Sequence, residues 1–207
     1  MTITVTLGFP DERDLRSSDV DVSRIPPGQY LTDRFPVLHA GVVPSVDLSE
    51  WDFTVDGLVT ETKRWTWKEF RSFPSTAVTV DIHCVTKWSK LDTNWVGIPV
   101  TEIWEKIEPF REATHVLVHA YHGFTANLPI EDLLRKDNLF AYEYGGRPLE
   151  PEHGYPLRLL VPHLYFWKSV KWVRGFTLLD GDQPGFWERN GYHMYGDPFR
   201  EQRFWGE

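Results

Sequence analysis

Cys84 is the single cysteine in a chain of 207 residues, and it lies between His83 and Lys87 in the run Val80-Asp81-Ile82-His83-Cys84-Val85-Thr86-Lys87-Trp88. The residues before it, Ala77 to Ile82, alternate and are rich in Val and Ile, which predicts a strand that delivers the thiol to its end. A thiol so placed beside cations can be held as thiolate, the form that attacks electrophiles or ligates metals. Read without context, the same residue is a small buried hydrophobe, a common fate of free cysteine. A third reading makes Cys84 a nucleophile with His83 or His122 as its base. It is weakened for His83, because neighbours on a strand point to opposite faces. One cysteine forms no intramolecular disulfide, and it cannot build a multi-cysteine zinc site or an iron–sulfur cluster.

The second chemical feature is a run of cations. Between His153 and Leu179 stand Arg158, Lys168, Lys171 and Arg174 with no acid, so the net charge of −8 divides into +4 there and −12 elsewhere. A solvated basic face is the plain alternative. Here the cations are interleaved with Leu, Val, Phe and Trp, which points to a bound anion. The acidic balance of the whole chain speaks against a nucleic-acid partner. Ten tryptophans supply apolar bodies with polar handles, suited to cores and cofactor clefts alike. His39, in the segment Phe35 to Gly41, reads on its own as a hydrogen-bonded core histidine.

The length suits one domain with a full core, and apolar (41%) and charged (25%) contents are ordinary for a globular chain. Met1 to Asp14 shows neither a basic stretch followed by an apolar run nor a twin-arginine pair. No apolar run reaches the length of a membrane span, so the cytoplasm is the expected compartment. Residues 1–34 read as an extended, loop-like segment broken at Pro26-Pro27-Gly28. The alternation over Trp51–Val59, with Asp56-Gly57 as a turn, predicts a hairpin arm. Thr66 and Glu69 have capping-box spacing for a short helix. A strand over Ser75–His83 leads to a cysteine loop, and Val100–Glu108 reads as a helix with an Ile103, Trp104, Ile107 stripe. Strands are predicted at Thr114–Tyr121, Asn138–Tyr144, Arg158–Val161 and Ser169–Leu179, a loop at His122–Asn127, and a short helix from Pro129 through Leu134. Gly145-Gly146 is a hairpin turn signal. Residues 181–207 form an aromatic tail expected to wrap the body. The whole predicts a single β-rich α+β domain spanning 1–207.

Three separated pieces now come together: DIHCVTKWSKLDTNWVGIPV, HGFTANLPIEDL and LEPEHGYPLRLLVPHLYFWKSVKWVRGFTLLD. They resemble the molybdopterin-binding domain of the sulfite oxidase family, most closely its small stand-alone bacterial oxidoreductases, over roughly residues 35 to 180. The third piece is the most specific, with His-Gly-x-Pro-x-Arg, a Val-Pro and Lys-Ser-x-Lys-Trp in order. The resemblance implies a mixed, β-rich fold of that type and a Mo-molybdopterin cofactor, one molybdenum per chain, with Cys84 as the metal's thiolate ligand. It implies that Arg158 and Ser169-Val170-Lys171 bind the pterin and its terminal phosphate, with His153, His39 and Thr125 also contacting the cofactor. No haem or iron–sulfur cluster is expected. The implied activity is two-electron oxygen-atom transfer with a small sulfur- or nitrogen-oxo substrate, served by an unidentified electron donor or acceptor protein.

Departures from the family pattern fall just after the cysteine. Where sulfite oxidases carry Asn-Arg-Arg, this chain has Lys87, Trp88 and Ser89, and where methionine-sulfoxide-reducing relatives carry Glu, it has Thr86. Lys87 and Trp88 are therefore the expected substrate-facing residues, with Lys90, His122 and His163 as further anion-friendly groups. Trp95 is a candidate wall, and Tyr121 and Tyr165 are candidate proton relays. The alternative function is a non-catalytic cofactor- or anion-binding module on the same fold.

Overall fold

The structure, a computed structural model, describes residues 20–206. In chain order its first strands and helices are β1 (Tyr30–Leu31), β2 (Asp52–Gly57), β3 (Lys63–Thr66), α1 (Trp67–Phe70), β4 (Thr76–His83), β5 (Trp88–Pro99) and α2 (Val100–Trp104). There follow β6 (His115–Ala120), β7 (Thr125–Pro129), α3 (Ile130–Leu133), β8 (Leu139–Tyr144), β9 (Arg147–Pro148), β10 (Arg158–Leu160), β11 (Val173–Leu179) and α4 (Phe186–Arg189).

Period-2 alternation divides these strands between two sheets and two apolar clusters. One sheet has the order β3-β2-β11-β6-β7, with β11 parallel to β2 and the other pairs antiparallel. The other is organised by the long β5, which pairs antiparallel with β4 and β8 and parallel with β1, while β8 also carries β10 and β9. Phe53 of β2 and Phe176 of β11 meet Phe140 of β8 at ring separations of 4.8 and 6.5 Å, so the sheets face each other across the main core. Neighbouring residues on β8 and β10 point the opposite way. Leu139, Ala141 and Leu160 join Ile82, Cys84, Trp88, Trp95 and Phe166 in a second cluster. Arg158 shares its strand face with Leu160, so its guanidinium is delivered into this second cluster. The result is a β-rich α+β domain with short helices. Among the described residues no helix is long and apolar enough to cross a membrane.

Local signals and tertiary demands part company in several places. The capping box forms as read: Thr66 accepts from the Glu69 N–H, and the Glu69 carboxylate accepts from the Thr66 N–H. Gly145 and Gly146 take φ values of 59° and 76° in the turn joining β8 to β9. The stretch read as a cysteine loop is instead a tight turn at Val85–Lys87 followed by β5, whose polar sequence is held by partners on both sides. The predicted loop over His122–Asn127 gives way to β7 from Thr125, and the Val100–Glu108 helix stops at Trp104. The last predicted strand begins at Val173 rather than Ser169. Residues 1–19 of the segment read as loop lie outside the described residues, and its remainder contributes β1.

Gly175 marks the tightest strand contact. A β-carbon there would run into the Thr54 carbonyl of β2, next to the register shift between Val173 and Gly175. Gly175→Ala is expected to cost about 3 kcal/mol through overpacking of this pair, read by urea unfolding.

Candidate active site

Cys84 reaches its place at the end of β4 through a closed hairpin. Its N–H donates to the Trp88 carbonyl at 2.9 Å, and its own carbonyl accepts from the Lys87 N–H at 3.0 Å. Lys87 adopts φ 74° to close the turn. The N-terminal segment buttresses it: the Gln29 side-chain amide donates to the Cys84 carbonyl at 3.1 Å, and the Tyr30 N–H to the Lys87 carbonyl at 2.8 Å. The Thr86 hydroxyl donates to Cys84 Sγ at 3.1 Å. Burial pushes the thiol pKa up, while Thr86 and the Lys171 charge pull against it. The buried sulfur thus keeps its proton until a cation takes the proton's place. His83 turns elsewhere, with Nδ1 2.8 Å from Ser89 Oγ and its ring edge-on to Phe199. Burial lowers its pKa to about 4, so it is neutral and turned away from the thiol rather than serving as a base.

Two cations stand beside this thiol without a counter-charge. Arg158 is buried in β10 and donates from Nη1 to the His153 carbonyl and from Nη2 to the Ser169 carbonyl, both at 2.8 Å. Its guanidinium lies 4.3 Å from the Phe166 ring centroid, and its Nε has no partner. Burial lowers its pKa to about 9. Lys171 donates to the carbonyls of Leu38 at 2.9 Å and Glu152 at 2.6 Å, and burial with Arg158 nearby lowers its pKa to about 7. Among the described residues neither cation has a carboxylate within ion-pair distance. The other two cations of the acid-free segment are already engaged. Lys168 pairs with Glu188 at 2.7 Å and Arg174 with Asp52, so the candidate anion site narrows to Arg158 and Lys171.

Gly154 shapes the cradle. It sits at φ 113°, and a β-carbon there would come 3.1 Å from Arg158 Cβ and 3.3 Å from Lys171 Cα. Its neighbour His153 stacks on Phe35 with ring centroids 4.1 Å apart, and Nε2 lies 3.2 Å from the Phe35 carbonyl. Burial lowers the His153 pKa, so the neutral ring donates from Nε2 and offers Nδ1 as an acceptor. Ser169 Oγ accepts from the Val161 N–H at 2.9 Å, and the buried Val170 gives its carbonyl to the Leu159 N–H. His39 is exposed rather than core; its ring meets Trp172 edge-on at 5.7 Å, one residue from Lys171. Trp88 is buried with an unpartnered indole N–H, whereas Lys87 is exposed at the tip of the turn.

Other candidates lie apart from this group. Thr125 is on β7, in the sheet that does not contain β5, and its hydroxyl accepts from Arg189 at 3.3 Å. Tyr121 lies under Arg174 at 4.8 Å, and Tyr165 stacks on Trp167. His163 is bound to Asp132 at 2.8 Å, and Lys90 to the Asp33 carbonyl at 2.5 Å. His122 sits at φ 59° in an exposed turn. The tyrosines that do feel a Cys84 thiolate are Tyr30 and Tyr192; burial and that charge both raise their pKa values. Tyr192 belongs to the tail, where only the density of aromatic residues hinted at a role.

A buried thiol, two desolvated cations with an unpaired guanidinium N–H, and a glycine-shaped turn make a site whose charge and shape suit an anionic ligand. Comparison with known proteins specifies the class. The model of the oxidoreductase molybdopterin binding domain matches residues 39–187, and the chain belongs to that family. It is 49% identical over 190 residues to the uncharacterized oxidoreductase YuiH of Bacillus subtilis, covering 91% of this chain and 96% of that one. It is 24% identical to the putative protein-methionine-sulfoxide reductase subunit YedZ1 of Azospira oryzae, covering 74% of this chain and 58% of that one. It is also 24% identical to the sulfite oxidase of Arabidopsis thaliana, covering 80% of this chain and 52% of that one. The crystal structure of the sulfane dehydrogenase SoxCD from Paracoccus pantotrophus shares the fold, with a TM-score of 0.65 at 21% identity over 74% of this chain and 43% of that one.

The uncompensated lysine has a consequence for stability. Lys171 is lowered from an ordinary value of 10.5 to about 7, so between those values the unfolded chain holds a proton that the folded chain lacks. Stability of the cofactor-free protein is therefore expected to rise with pH from about 7 to 9, as the unfolded state must surrender that proton. Thermal unfolding across this window should show the rise in the parent chain and a flatter profile in Lys171→Met.

Proposed function

We propose that the protein is a molybdenum-cofactor-dependent oxidoreductase that transfers an oxygen atom to or from a small sulfur- or nitrogen-oxo substrate in a two-electron reaction. One molybdenum per chain is held by the Cys84 thiolate. The observation that carries this reading is the pair of the buried Arg158 and the half-buried Lys171, with carbonyls and no carboxylate as their described partners, in the region of the thiol. The residues fit the cofactor: a pterin phosphate supplies the missing negative charge, and the free Arg158 Nε and Trp88 Nε1 are donors awaiting acceptors. When bound, the cofactor supplies the two-electron couple and the oxygen-transfer chemistry. A soft thiolate suits a metal that tolerates sulfur, and the metal's charge keeps the buried Cys84 deprotonated.

The protein's own groups hold, orient and exclude. Arg158 and Lys171 neutralise the phosphate; the Ser169-Val170-Lys171 turn and His153 Nδ1 fix the pterin, with His39 at its exposed side. Trp88 closes the inner wall against water, and Lys87 puts a cation at the mouth. Tyr192 keeps its proton at Oη, since burial and the thiolate both disfavour the phenolate, so it is a hydrogen-bond donor toward substrate oxygen. Substrate choice resides in Thr86-Lys87-Trp88-Ser89. Electrons are exchanged with a separate partner protein, without haem or an iron–sulfur cluster on this domain.

Metal analysis of protein made in a cofactor-competent host should find one molybdenum per chain. Cys84→Ala and Arg158→Ala are each expected to lower its retention by about tenfold or more. Full occupancy of Cys84→Ala with unchanged metal spectra rejects the ligand assignment. Turnover is tested with sulfite, sulfoxides, N-oxides and nitrate against dye donors and acceptors. Lys87-Trp88-Ser89, in place of the family's arginine pair, favours a second reading, a cofactor-binding module without catalysis. Reduction or oxidation of the bound metal by any of these substrates eliminates it.

A further inference from the structure

Behind the cofactor cradle lies a buried ion pair that the reaction itself does not use. Lys168 is fully buried, and its Nζ lies within hydrogen-bond reach of Glu188 Oε1 (2.7 Å), Asn127 Oδ1 (2.6 Å), the Asn127 carbonyl (3.0 Å) and the Met194 carbonyl (2.6 Å). Glu188, on α4, is equally buried and also accepts from the Trp167 indole N–H at 2.7 Å. The flanking residues grip one ring. Trp187 stacks on Tyr192 at 4.9 Å and 15°, Trp167 meets it edge-on at 5.1 Å, and Phe204 closes a third side at 5.4 Å. The Tyr192 N–H also donates to the Trp187 carbonyl at 3.1 Å. The attachment is tight. A β-carbon on Gly185 would come 2.6 Å from Ala126 Cα, and one on Gly196 2.7 Å from the Trp167 ring.

A fully buried pair of opposite charges is seldom the most stable filling for its volume; apolar residues of the same size do as well or better. Its retention here calls for a geometric reason. Lys168 immediately precedes Ser169-Val170-Lys171, and Glu188 lies four residues before Tyr192. The pair therefore joins the segment that precedes Lys171 to the C-terminal tail, whose Phe199 ring meets His83, beside Cys84, at 5.6 Å.

We propose that Lys168 and Glu188 are positioning residues that lock the C-terminal tail onto the Phe166–Lys168 turn and so hold the tail, Tyr192 included, against the hairpin that carries Cys84. The inference rests on Cys84 being the centre of the site, as proposed above. The pair acts through Trp167 and Trp187, whose rings fix the phenol, and touches no reacting atom. Loss of the pair lets α4 and Tyr192 shift while the two sheets remain.

The test compares the full chain with the double replacement Lys168→Met/Glu188→Leu and with Glu188→Gln. Each carries 3-fluorotyrosine, the Tyr192 resonance being assigned by Tyr192→Phe. Alkylation of Cys84 by iodoacetamide is followed by mass in protein made without cofactor, where the single thiol gives an unambiguous reading. The double replacement is expected to melt at or above the parent temperature, yet with a shifted or broadened Tyr192 fluorine signal and Cys84 alkylation about tenfold faster. Glu188→Gln, which keeps the shape and the Trp167 acceptor, is expected to change both readings in the same direction and by less. A double replacement that folds with an unchanged resonance and alkylation rate overturns the proposal; should it not fold, unchanged readings in Glu188→Gln do so. Neither reading needs molybdenum, so failure of the parent chain to bind the metal strikes the proposed function and leaves this test standing.

Discussion

Positive charge without a partner is the constraint around which the working end of this domain is built. Arg158 and Lys171 are both drawn out of water, and the groups that meet them are carbonyl oxygens of His153, Ser169, Leu38 and Glu152. Carbonyl dipoles replace part of a cation's hydration but do not neutralise it. The penalty for burying such an ion is several kcal/mol even after relaxation. The same burial lowers the pKa of both groups, because it disfavours their charged forms. An anion bound between them removes it, and so converts a cost of folding into affinity for a ligand. Phe35 and His39, the Gly154 turn and the Ser169–Lys171 turn all converge on this pair, although they are distant in sequence.

The sheets explain how a thiol comes to lie beside that charge. Because side chains alternate along a strand, Arg158 emerges on the face of β10 opposite the main core, on the side where Ile82 and Trp95 pack. Cys84 arrives at the same cluster from the β4–β5 hairpin. Aromatic rings fill the space between: Phe35 lies within 6.3 Å of Trp88, Trp95 and Phe166 and 4.8 Å from Tyr144. Such packing holds the two chemical groups in fixed relation and excludes the water that would otherwise screen the cations.

The β-rich α+β class and the family were both legible in the sequence, the first from strand alternation and the second from three motif-bearing stretches. Cys84 stood out as a lone thiol at the end of an alternating run, and Arg158 and Lys171 lay in a segment whose lack of acids is visible by inspection. The family resemblance singled out Arg158 and Lys171, but the charge pattern alone did not separate them from Lys168 and Arg174. That distinction depends on Glu188 and Asp52, which only the tertiary structure brings into contact. The first half of β5 was hidden because Ser89, Lys90, Asp92 and Asn94 have little intrinsic strand preference. Pairing with β4 along this half, and with β1 at Trp88 and Ser89, overrides that local tendency. β7, at the edge of its sheet, was missed because Thr125-Ala126-Asn127 shows no sustained alternation, and pairing with β6 alone makes it a strand. Tyr192 carried no local signal at all, since its relevance arises from the tail's path across the body.

Lys168 and Lys171 show most clearly how backbone geometry assigns roles to like residues. They are three positions apart, carry the same charge and were indistinguishable by composition. The 3-10 turn at Phe166–Lys168 and the left-handed Trp172 (φ 54°) send their side chains to different surroundings. One meets a carboxylate from the tail; the other is left with carbonyls beside Arg158. Had the turn continued as strand from Ser169, as alternation suggested, residues at odd spacing would have faced apart but without this change of depth. The break in regular structure is therefore what makes one lysine structural and the other available. It also ties them mechanically, so that a change which shifts the tail through Lys168 is transmitted to the backbone that presents Lys171. The surroundings of Lys171 and the seat of the tail that carries Tyr192 are then set by one short segment rather than by two ends of the chain.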